Sequence, residues 1–460
     1  MEIKSVYFIG IGGIGMSAIA RFFLHQGKRV AGYDRTATEL THALESEGAQ
    51  IHYTDDTTLI ASEFRDPQTT AVIYTPAVPS DHAELNYFID NGFEVVKRSQ
   101  MLGVLTSGKY VMAVSGTHGK SSTSTMVAWL NHAVEQQGCA FLGAISKNFN
   151  SNLVLGEGER IVVEADEFDR SFLRLNPNVA VITSADADHL DIYGTHEAVK
   201  EAFSQFVRQI KAGGSLIIKK GVDIVLDNSE IDIWRYSFDE PCDFYVSRHE
   251  LQEDGSYIFD ITTPSGVVEG CTIGVPGWVN LENAVAAVAS LWCAAKADGR
   301  EIDREGVKVA LSQFVGIKRR LEMWVNTPKN IYMDDYAHHP RELSATLTSL
   351  REITPNRKIT AIFQPHLFTR TRDLYVEFAE ALSHADDVVL LPIYPAREEP
   401  IEGITTEIIA NLVTVPCEVV AKGQIVDFIA SRESDVVVTF GAGDIDLCCE
   451  KMAEVIAFKG

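Results

Sequence analysis

Short apolar runs alternate with segments of helical period along nearly the whole chain, and few architectures accommodate that rhythm. VYFIGIG is followed by SAIARFFLHQG and RVAGYD, and later come AVIYTP, YVMAVSG, RIVVEAD and VAVITS. A β-favouring run followed by an apolar stripe at helical spacing is a strand with a helix returning over it. Repeated, this βαβ unit builds largely parallel sheets, which makes the expected class α/β. One cycle ends near Val95, and a fresh one opens at Tyr110 after SQMLGVLTSGK. Another begins around KRRLEMWVN and NIYMDDYA and closes with DVVVTFGAGDIDLCCEKMAEVI. The expected division is therefore three domains, 1–102, 103–318 and 319–460. Between about 240 and 275 the pattern is shorter and more polar, as in a small antiparallel sheet at the edge of the middle domain.

A length of 460 residues suits two to four domains, and 46% apolar with 23% charged residues suits a chain folded throughout. Lys plus Arg number 40 against 64 Asp plus Glu, a net charge of −24. That field opposes nucleic acid and anionic membrane surfaces, so neither is expected as a partner. An anionic substrate must then be held by local devices such as helix N-termini, placed cations or a metal ion. Seven cysteines lack C-x-x-C spacing and read as reduced thiols. The opening MEIKSVYFIGIGGIG lacks a basic leader, and the Ala-rich stretch Ala284 to Ala297 is short of the ~20 residues that span a bilayer. A cytoplasmic protein is expected; its sequence is compatible with a monomer or a homodimer.

Two loops carry phosphate-type chemistry. The first is Gly10-Ile11-Gly12-Gly13-Ile14-Gly15, between a strand and a helix-period run that begins near Met16, with Asp34 closing the next strand. Glycines let backbone approach a diphosphate, the helix start offers N–H donors, and an acid there suits a ribose hydroxyl. The pattern does not name the nucleotide: a nicotinamide cofactor and a nucleoside-diphosphate ligand both fit. The second loop runs Ser115-Gly116-Thr117-His118-Gly119-Lys120-Ser121-Ser122. Its G-K-S tail brings amides, an ammonium for β/γ-phosphates and a hydroxyl for Mg²⁺, although Val114 stands where the strict motif has glycine. An oxidoreductase has no use for this second loop.

Acidic runs end the next two strands of the middle region: IVVEADE at 161–167 and SADADH at 184–189. Parallel strands end along one edge, which aims Ser121, Glu164 and His189 at one crevice. Oxygen donors there suit Mg²⁺, and an imidazole also suits Mn²⁺. His118 reads as a brace of its own loop, Cys448 and Cys449 as core packing, and GAGD at 441–444 as a strand-to-helix connection.

Eight segments stand in one order: FIGIGGIGMSAIA near the start, GTHGKSS (116–122), EADEFDRSFL (164–173), DADHLDIYG (186–194), KRRLE (318–322), DDYAHHP (334–340), FQPHLFTRTRD (363–373) and IYPAREEP (393–400). With these the chain resembles the Mur ligases, ATP-dependent amide-forming enzymes of peptidoglycan precursor synthesis. The resemblance implies a Rossmann-like N-terminal domain binding a UDP-sugar, a P-loop-type central domain binding ATP, and a Rossmann-like C-terminal domain binding the amino acid. It places Gly10, Gly12, Gly13, Ile14, Gly15, Met16 and Asp34 at the UDP-sugar. Gly116, Thr117, His118, Gly119, Lys120, Ser121 and Ser122 fall at ATP, with Asn280 and Asn283 near adenine, Arg320 facing phosphate and Asp335 on the ribose side. Ser121, Glu164 and His189 resemble the metal ligands, and Tyr336, His338 and Arg370 the amino-acid site. Leu367 stands where the family often has Arg, and Lys200 lies where relatives modify a lysine.

The implied reaction joins L-alanine to the lactyl carboxylate of UDP-N-acetylmuramate. That carboxylate would attack the γ-phosphorus of ATP, with Lys120 and Mg²⁺ spreading the charge. The amine would then displace phosphate from the acyl phosphate, and His338 would either accept its proton or only position it. Two alternatives stand beside this: a ligase that recycles preformed peptide onto the same UDP-sugar, and an NAD(P)-dependent oxidoreductase.

Overall fold

The structure, a computed structural model, describes residues 3–136, 138–252, 255–396, 398–433 and 435–459. The first sheet comprises β1 (Ser5–Ile9), β2 (Arg29–Tyr33), β3 (Gln50–His52), β4 (Thr70–Tyr74) and β5 (Glu94–Lys97), in the order β3-β2-β1-β4-β5. Its strands pair in parallel throughout. The order reverses beside β1, and the crevice this leaves at the carboxyl ends of β1 and β4 is where an open α/β sheet takes a ligand.

The second sheet comprises β6 (Tyr110–Ser115), β7 (Cys139–Ser146), β8 (Ser151–Val154), β9 (Arg160–Glu164), β10 (Val179–Ile182), β11 (Ser215–Lys219), β12 (Asp232–Ser237), β13 (Phe244–Leu251), β14 (Tyr257–Thr263) and β15 (Gly266–Thr272). Their order is β15-β14-β13-β12-β11-β10-β6-β9-β7-β8. β6 lies between β9 and β10, parallel to both, so the loop after β6 and the acidic runs after β9 and β10 share one edge. The strands expected over 240–275 as an edge elaboration of the middle domain lie at one edge of this sheet, as β13, β14 and β15. Those residues extend the second sheet, and β13 joins β12 in parallel. The reason is that β12 ends in buried Tyr236 and Ser237, which offer a backbone edge that Phe244 and Tyr245 complete.

The third sheet comprises β16 (Glu322–Asn326), β17 (Ile331–Asp335), β18 (Ile359–Phe363), β19 (Asp387–Leu390), β20 (Cys417–Val419) and β21 (Val436–Phe440), in the order β16-β17-β21-β18-β19-β20. Only β16 runs antiparallel to its neighbour. Both faces are covered, one around Leu343, Leu347, Phe363 and Phe378, the other around Tyr332, Ile362, Ile425 and Met452. Strands buried on both faces explain the unbroken apolar runs VVVTF and ITAIF.

The chain condenses into two units. One holds Met1–Arg248, Asp260–Cys271 and Glu282–Phe314; the other holds His249–Phe259, Thr272–Leu281 and Val315–Gly460. The first sheet and the greater part of the second belong to the first unit, where they share a single core in which Phe8, Met16, Ile19 and Phe23 join Val111, Phe141, Val163 and Phe203. Phe22 meets Phe141 with ring centroids 5.7 Å apart, and Asn152 Nδ2 donates to Ser17 Oγ at 2.9 Å. The boundary placed at 102/103 falls inside the helix Arg98–Thr106, whose Met101 and Leu102 are buried in that core. All seven cysteines are free thiols. Among the described residues, no helix is long and apolar enough to cross a membrane.

Candidate active site

The helix Lys120–Glu135 follows β6 through the second glycine loop. Gly116 has φ +139, and a Cβ there would stand 2.0 Å from Thr183 Oγ1, so only glycine fits. Gly119 caps the helix in a left-handed conformation, and no side chain takes the first N–H groups. An uncapped helix start is a site for phosphate. The segment after β10 clamps this loop. His118 N–H donates to Ser184 Oγ at 2.8 Å and Asp186 N–H to Thr117 Oγ1 at 3.1 Å, while the Thr183 hydroxyl donates to the His118 carbonyl. The His118 ring lies 3.7 Å from the Asp186 carboxylate, a bracing position.

Lys120 is held at the loop by Gly116 O at 2.7 Å and by Glu167 Oε1 at 2.9 Å. Burial alone would lower its pKa, but the carboxylates of Glu167, Asp166 and Glu164 outweigh burial and raise it. The ammonium is thus charged at any physiological pH. Glu164 accepts from Ser121 Oγ at 3.1 Å, Ser124 Oγ at 3.3 Å and Gly143 N–H at 3.1 Å. A Cβ on Gly143 would fall 2.2 Å from Glu164 Oε1, so glycine there makes room for the carboxylate. Ser121 and Glu164 are therefore brought together as hard oxygen donors. His189, in left-handed backbone, sits with Nε2 3.8 Å from Glu167 Oε1 and its ring edge-on to Phe168. Among the described residues, no three of His, Cys, Asp and Glu converge on one ion position. Asn283 takes a hydrogen bond from Thr123 Oγ1 at 3.0 Å, and Asn280 Nδ2 donates to Pro276 O at 2.7 Å; each ties down local backbone or helix. Lys200 is paired with Asp223 at 2.6 Å.

The first glycine loop leads into the helix Ile14–His25, capped at Gly13 without a side-chain bond. Asp34, expected at a ribose, accepts from Gly12 N–H at 2.7 Å with Oδ2 and from Thr36 N–H at 3.2 Å with Oδ1, which fixes its carboxylate beside the glycine loop. A cavity of about 260 Å³ runs from Gly13, Gly15 and Met16 past Arg98 to Glu164 and Asp166. The first loop and Glu164 thus line one space.

The second unit gathers another cluster at the carboxyl ends of β17 and β18. His338 Nδ1 lies 3.1 Å from Tyr336 O, a carbonyl that only accepts, so Nδ1 carries the proton and Nε2 a lone pair. Burial pushes this imidazole down to about 4, with Arg370 and Arg320 adding to the effect and Glu342 opposing it. Arg370 Nη1 stands 3.4 Å from His366 Nδ1, and His366 stacks on Tyr394 at 5.7 Å. Arg320 lies over the Tyr336 ring at 5.2 Å and 3.6 Å from Glu342. Asp335, expected beside a ribose, is buried with its oxygens taken by Thr346 Oγ1 at 2.7 Å and Ala337 N–H at 3.1 Å. Burial raises it to about 6 against the pull of Arg320.

Three family models match the chain in succession: the Mur ligase family catalytic domain over residues 5–110, the Mur ligase middle domain over 114–291, and the Mur ligase glutamate ligase domain over 319–443. A UDP-N-acetylmuramate–L-alanine ligase of Phocaeicola vulgatus is 47% identical over 450 residues, 96% of either chain. The chain belongs to the Mur ligase family. The crystal structure of a UDP-N-acetylmuramate–alanine ligase from Thermotoga maritima superposes with a TM-score of 0.81 at 26% identity, covering 99% of this chain and 100% of that one. A murein peptide ligase from Psychrobacter arcticus shares the fold, with a TM-score of 0.69 at 23% identity and 99% of each chain covered.

Strained backbone in this Mur ligase concentrates at the same places. Of the nine non-glycine residues with positive φ among those described, Asp169, Arg170, His189, Arg319, Leu321 and Leu367 flank the segments above. Each such conformation costs about 1 kcal/mol or more and persists only where its surroundings impose it. Arg320 is presented between two of them. Leu367, at φ +74, starts the helix that carries Arg370, and Glu398 takes the Thr369 N–H at 3.0 Å in that first turn. Arg397 of the neighbouring IYPAREEP segment lies outside the described residues. Sequence reasoning missed Glu167, Ser124, Gly143, Arg98, Glu342, His366 and Tyr394. Glu167, His366 and Tyr394 lay inside quoted motifs and carried a signal; Gly143 acts through a position that only the folded sheet reveals.

Proposed function

We propose that this Mur ligase joins L-alanine to the lactyl carboxylate of UDP-N-acetylmuramate with ATP as the driving substrate. An acyl phosphate is the intermediate, and ADP and phosphate are the products, in cytoplasmic peptidoglycan precursor synthesis. The observation that carries the reading is near-full-length identity of 47% to a relative so named. Within it, residues 1–102 serve the UDP-sugar, 103–318 serve ATP and 319–460 serve the amino acid.

A carboxylate does not condense with an amine in water because oxide is a poor leaving group; phosphorylation supplies a better one. Lys120, kept charged by Glu167, Asp166 and Glu164, is poised to stabilise negative charge developing on the transferred phosphoryl group. The uncapped start of helix Lys120–Glu135 and the glycine loop hold the phosphates. Ser121 and Glu164 offer the oxygen donors Mg²⁺ prefers, and such an ion would screen charge between phosphates and carboxylate. His189 would join that set from the neighbouring strand end. In the second unit Arg370 offers a planar fork to the alanine carboxylate. His338, neutral with an Nε2 lone pair, accepts a hydrogen bond from the amine and orients it.

Phosphate release from ATP, measured with UDP-N-acetylmuramate and each amino acid in turn, tests the reading. The expected result is release only with the UDP-sugar and fastest with L-alanine. Release with a preformed peptide and not with L-alanine would overturn it.

A further inference from the structure

Arg319 precedes the arginine expected at phosphate, and the reading above gives it no part. Its guanidinium is turned into the third sheet. Nε donates to Asp334 Oδ2 at 3.1 Å, Nη2 to Gly441 O at 2.6 Å and Nη1 to Gly443 O at 3.3 Å, with Asp446 Oδ2 3.4 Å from Nη1. The GAGD connection after β21 thus turns two carbonyls to this one side chain. Asp334, in β17, is 1% exposed, and its other oxygen takes the Thr439 hydroxyl of the adjacent β21 at 2.7 Å. All three nitrogens of the fork are engaged, and the network they join is rooted in two neighbouring strands.

The backbone of Arg319 is pinned as firmly. Its N–H donates to Glu322 Oε2 at 2.8 Å, and its carbonyl accepts from Tyr336 N–H at 2.6 Å. These contacts hold a conformation the chain resists: φ is +61 at Arg319 and +46 at Leu321, left-handed backbone that a residue with a Cβ adopts only where its surroundings impose it. Arg320 leaves the chain between the two, so its direction is set by the turn they make. Both guanidinium groups meet the Tyr336 ring, Arg319 at 5.0 Å and Arg320 at 5.2 Å. A brace for the sheet alone would need no such turn, since a well-packed apolar pair fills a buried space without the cost of desolvating two charges.

We propose that Arg319 is a positioning residue for the ligation: through Asp334 and the carbonyls of Gly441 and Gly443 it holds the left-handed turn that presents Arg320. It acts through Arg320 and touches no reacting atom itself. The inference rests on the proposed function for what Arg320 meets, a phosphate of ATP as the family resemblance implies.

A double-mutant cycle on the full chain tests it, with phosphate release from ATP as the rate. Arg319→Lys keeps a charge beside Asp334 but cannot span both glycine carbonyls, so kcat should fall by about tenfold or more while KM for L-alanine and the UDP-sugar stays within about twofold. In an Arg320→Ala background the same change should cost less than about twofold, because the group it positions is gone. Equal cost in both backgrounds would overturn the proposal, and so would wild-type kcat in Arg319→Lys. Melting temperature separates positioning from bracing. Arg319→Gln leaves the Asp334 carboxylate buried and unpaired and should melt lower, whereas Arg319→Gln combined with Asp334→Asn should regain most of the loss because no buried charge is left unpaired. The paired variant should keep the low kcat; recovery of kcat together with stability would make Arg319 a brace of the fold and nothing more. Should Arg320→Ala be too slow to assay or Arg319→Gln fail to fold, the paired variant decides alone. The ligase reading fails separately: wild-type phosphate release with a preformed peptide and not with L-alanine would sink that reading, and the cycle run with the peptide would still show whether Arg319 acts through Arg320.

Discussion

The phosphate loop after β6 and the cluster at the ends of β17 and β18 are built on opposite plans. In the first, a permanent charge is assembled in advance: Lys120 is locked between a carbonyl and a buried carboxylate, and nearby acids hold its proton. In the second, burial strips charge from the imidazole of His338 and leaves Arg370 against a second imidazole. The difference follows from what each must meet. A transferring phosphoryl group spreads negative charge that wants a fixed cation. An amino acid presents a carboxylate to be gripped and an amine that must stay a nucleophile, which a neutral acceptor serves better than a charged one.

The largest expected effect tests the first plan. Lys120→Ala removes the ammonium and leaves Glu167 buried without it; turnover should fall by ~10² or more, with UDP-sugar affinity measured by calorimetry unchanged. Retention of more than about a tenth of turnover would move ATP off this loop. Gly143→Ala breaks the same region more gently. The new Cβ overlaps the Glu164 carboxylate, which must leave Ser121, and a displacement of that kind costs on the order of 10- to 100-fold in kcat. Because only a side-chain end moves, the melting temperature should hardly change, and a large drop in it would show that Glu164 braces the fold instead.

These two regions were unequally legible. The phosphate loop is contiguous, so Gly116, Lys120 and Ser121 could be read from spacing alone, and strand order then brought Glu164 to the same edge. The third-sheet cluster is not contiguous: Tyr336 and His338 follow β17, His366 and Arg370 follow β18, and Tyr394 follows β19. Family resemblance named Tyr336, His338 and Arg370, but only the sheet order brought His366 and Tyr394 to them. Asp34 and Asp335 each accept a local N–H at a strand end, a bond that spacing does not distinguish from a ribose contact. The three-sheet rhythm was plain in the apolar runs. That two sheets share one core was not, because SQMLGVLTSGK reads as a linker, whereas most of it lies in the helix Arg98–Thr106, which buries Met101 and Leu102.

Arg370→Ala sharpens the second plan. The alternative that Arg370 merely pairs with Asp373 is weakened by the structure, where Asp373 is held by Arg372 at 2.7 and 3.0 Å. Loss of the fork should raise KM for L-alanine by about tenfold and leave KM for ATP and the UDP-sugar within about twofold. The acyl phosphate should still form and be trapped by hydroxylamine. Equal rises in all three KM values would assign Arg370 to bracing.

His338 carries the smallest effect and the finest test of the comparison. Its imidazole, lowered to about 4 by burial, is expected to be neutral near pH 7 and to set no acid limb of kcat between pH 6 and 8. His338→Gln keeps a neutral acceptor, and the expected outcome is a KM for L-alanine raised about two- to fivefold with the pH profile of kcat unmoved. Loss of an acid limb in the variant would instead make His338 the proton acceptor. Stability supplies an independent reading. A histidine whose folded pKa lies below its ordinary 6.5 stabilises the fold above that pH, and its contribution is lost as pH falls toward about 4. Asp335, raised to about 6, has the opposite sign: its contribution is present at low pH and is lost as pH rises through 6. Melting curves of wild type and His338→Gln share the Asp335 term, so their difference isolates the histidine. The wild type should lose more melting temperature than the variant between pH 6.5 and 4, whereas parallel curves would mean that His338 titrates normally and that burial does not govern this cluster.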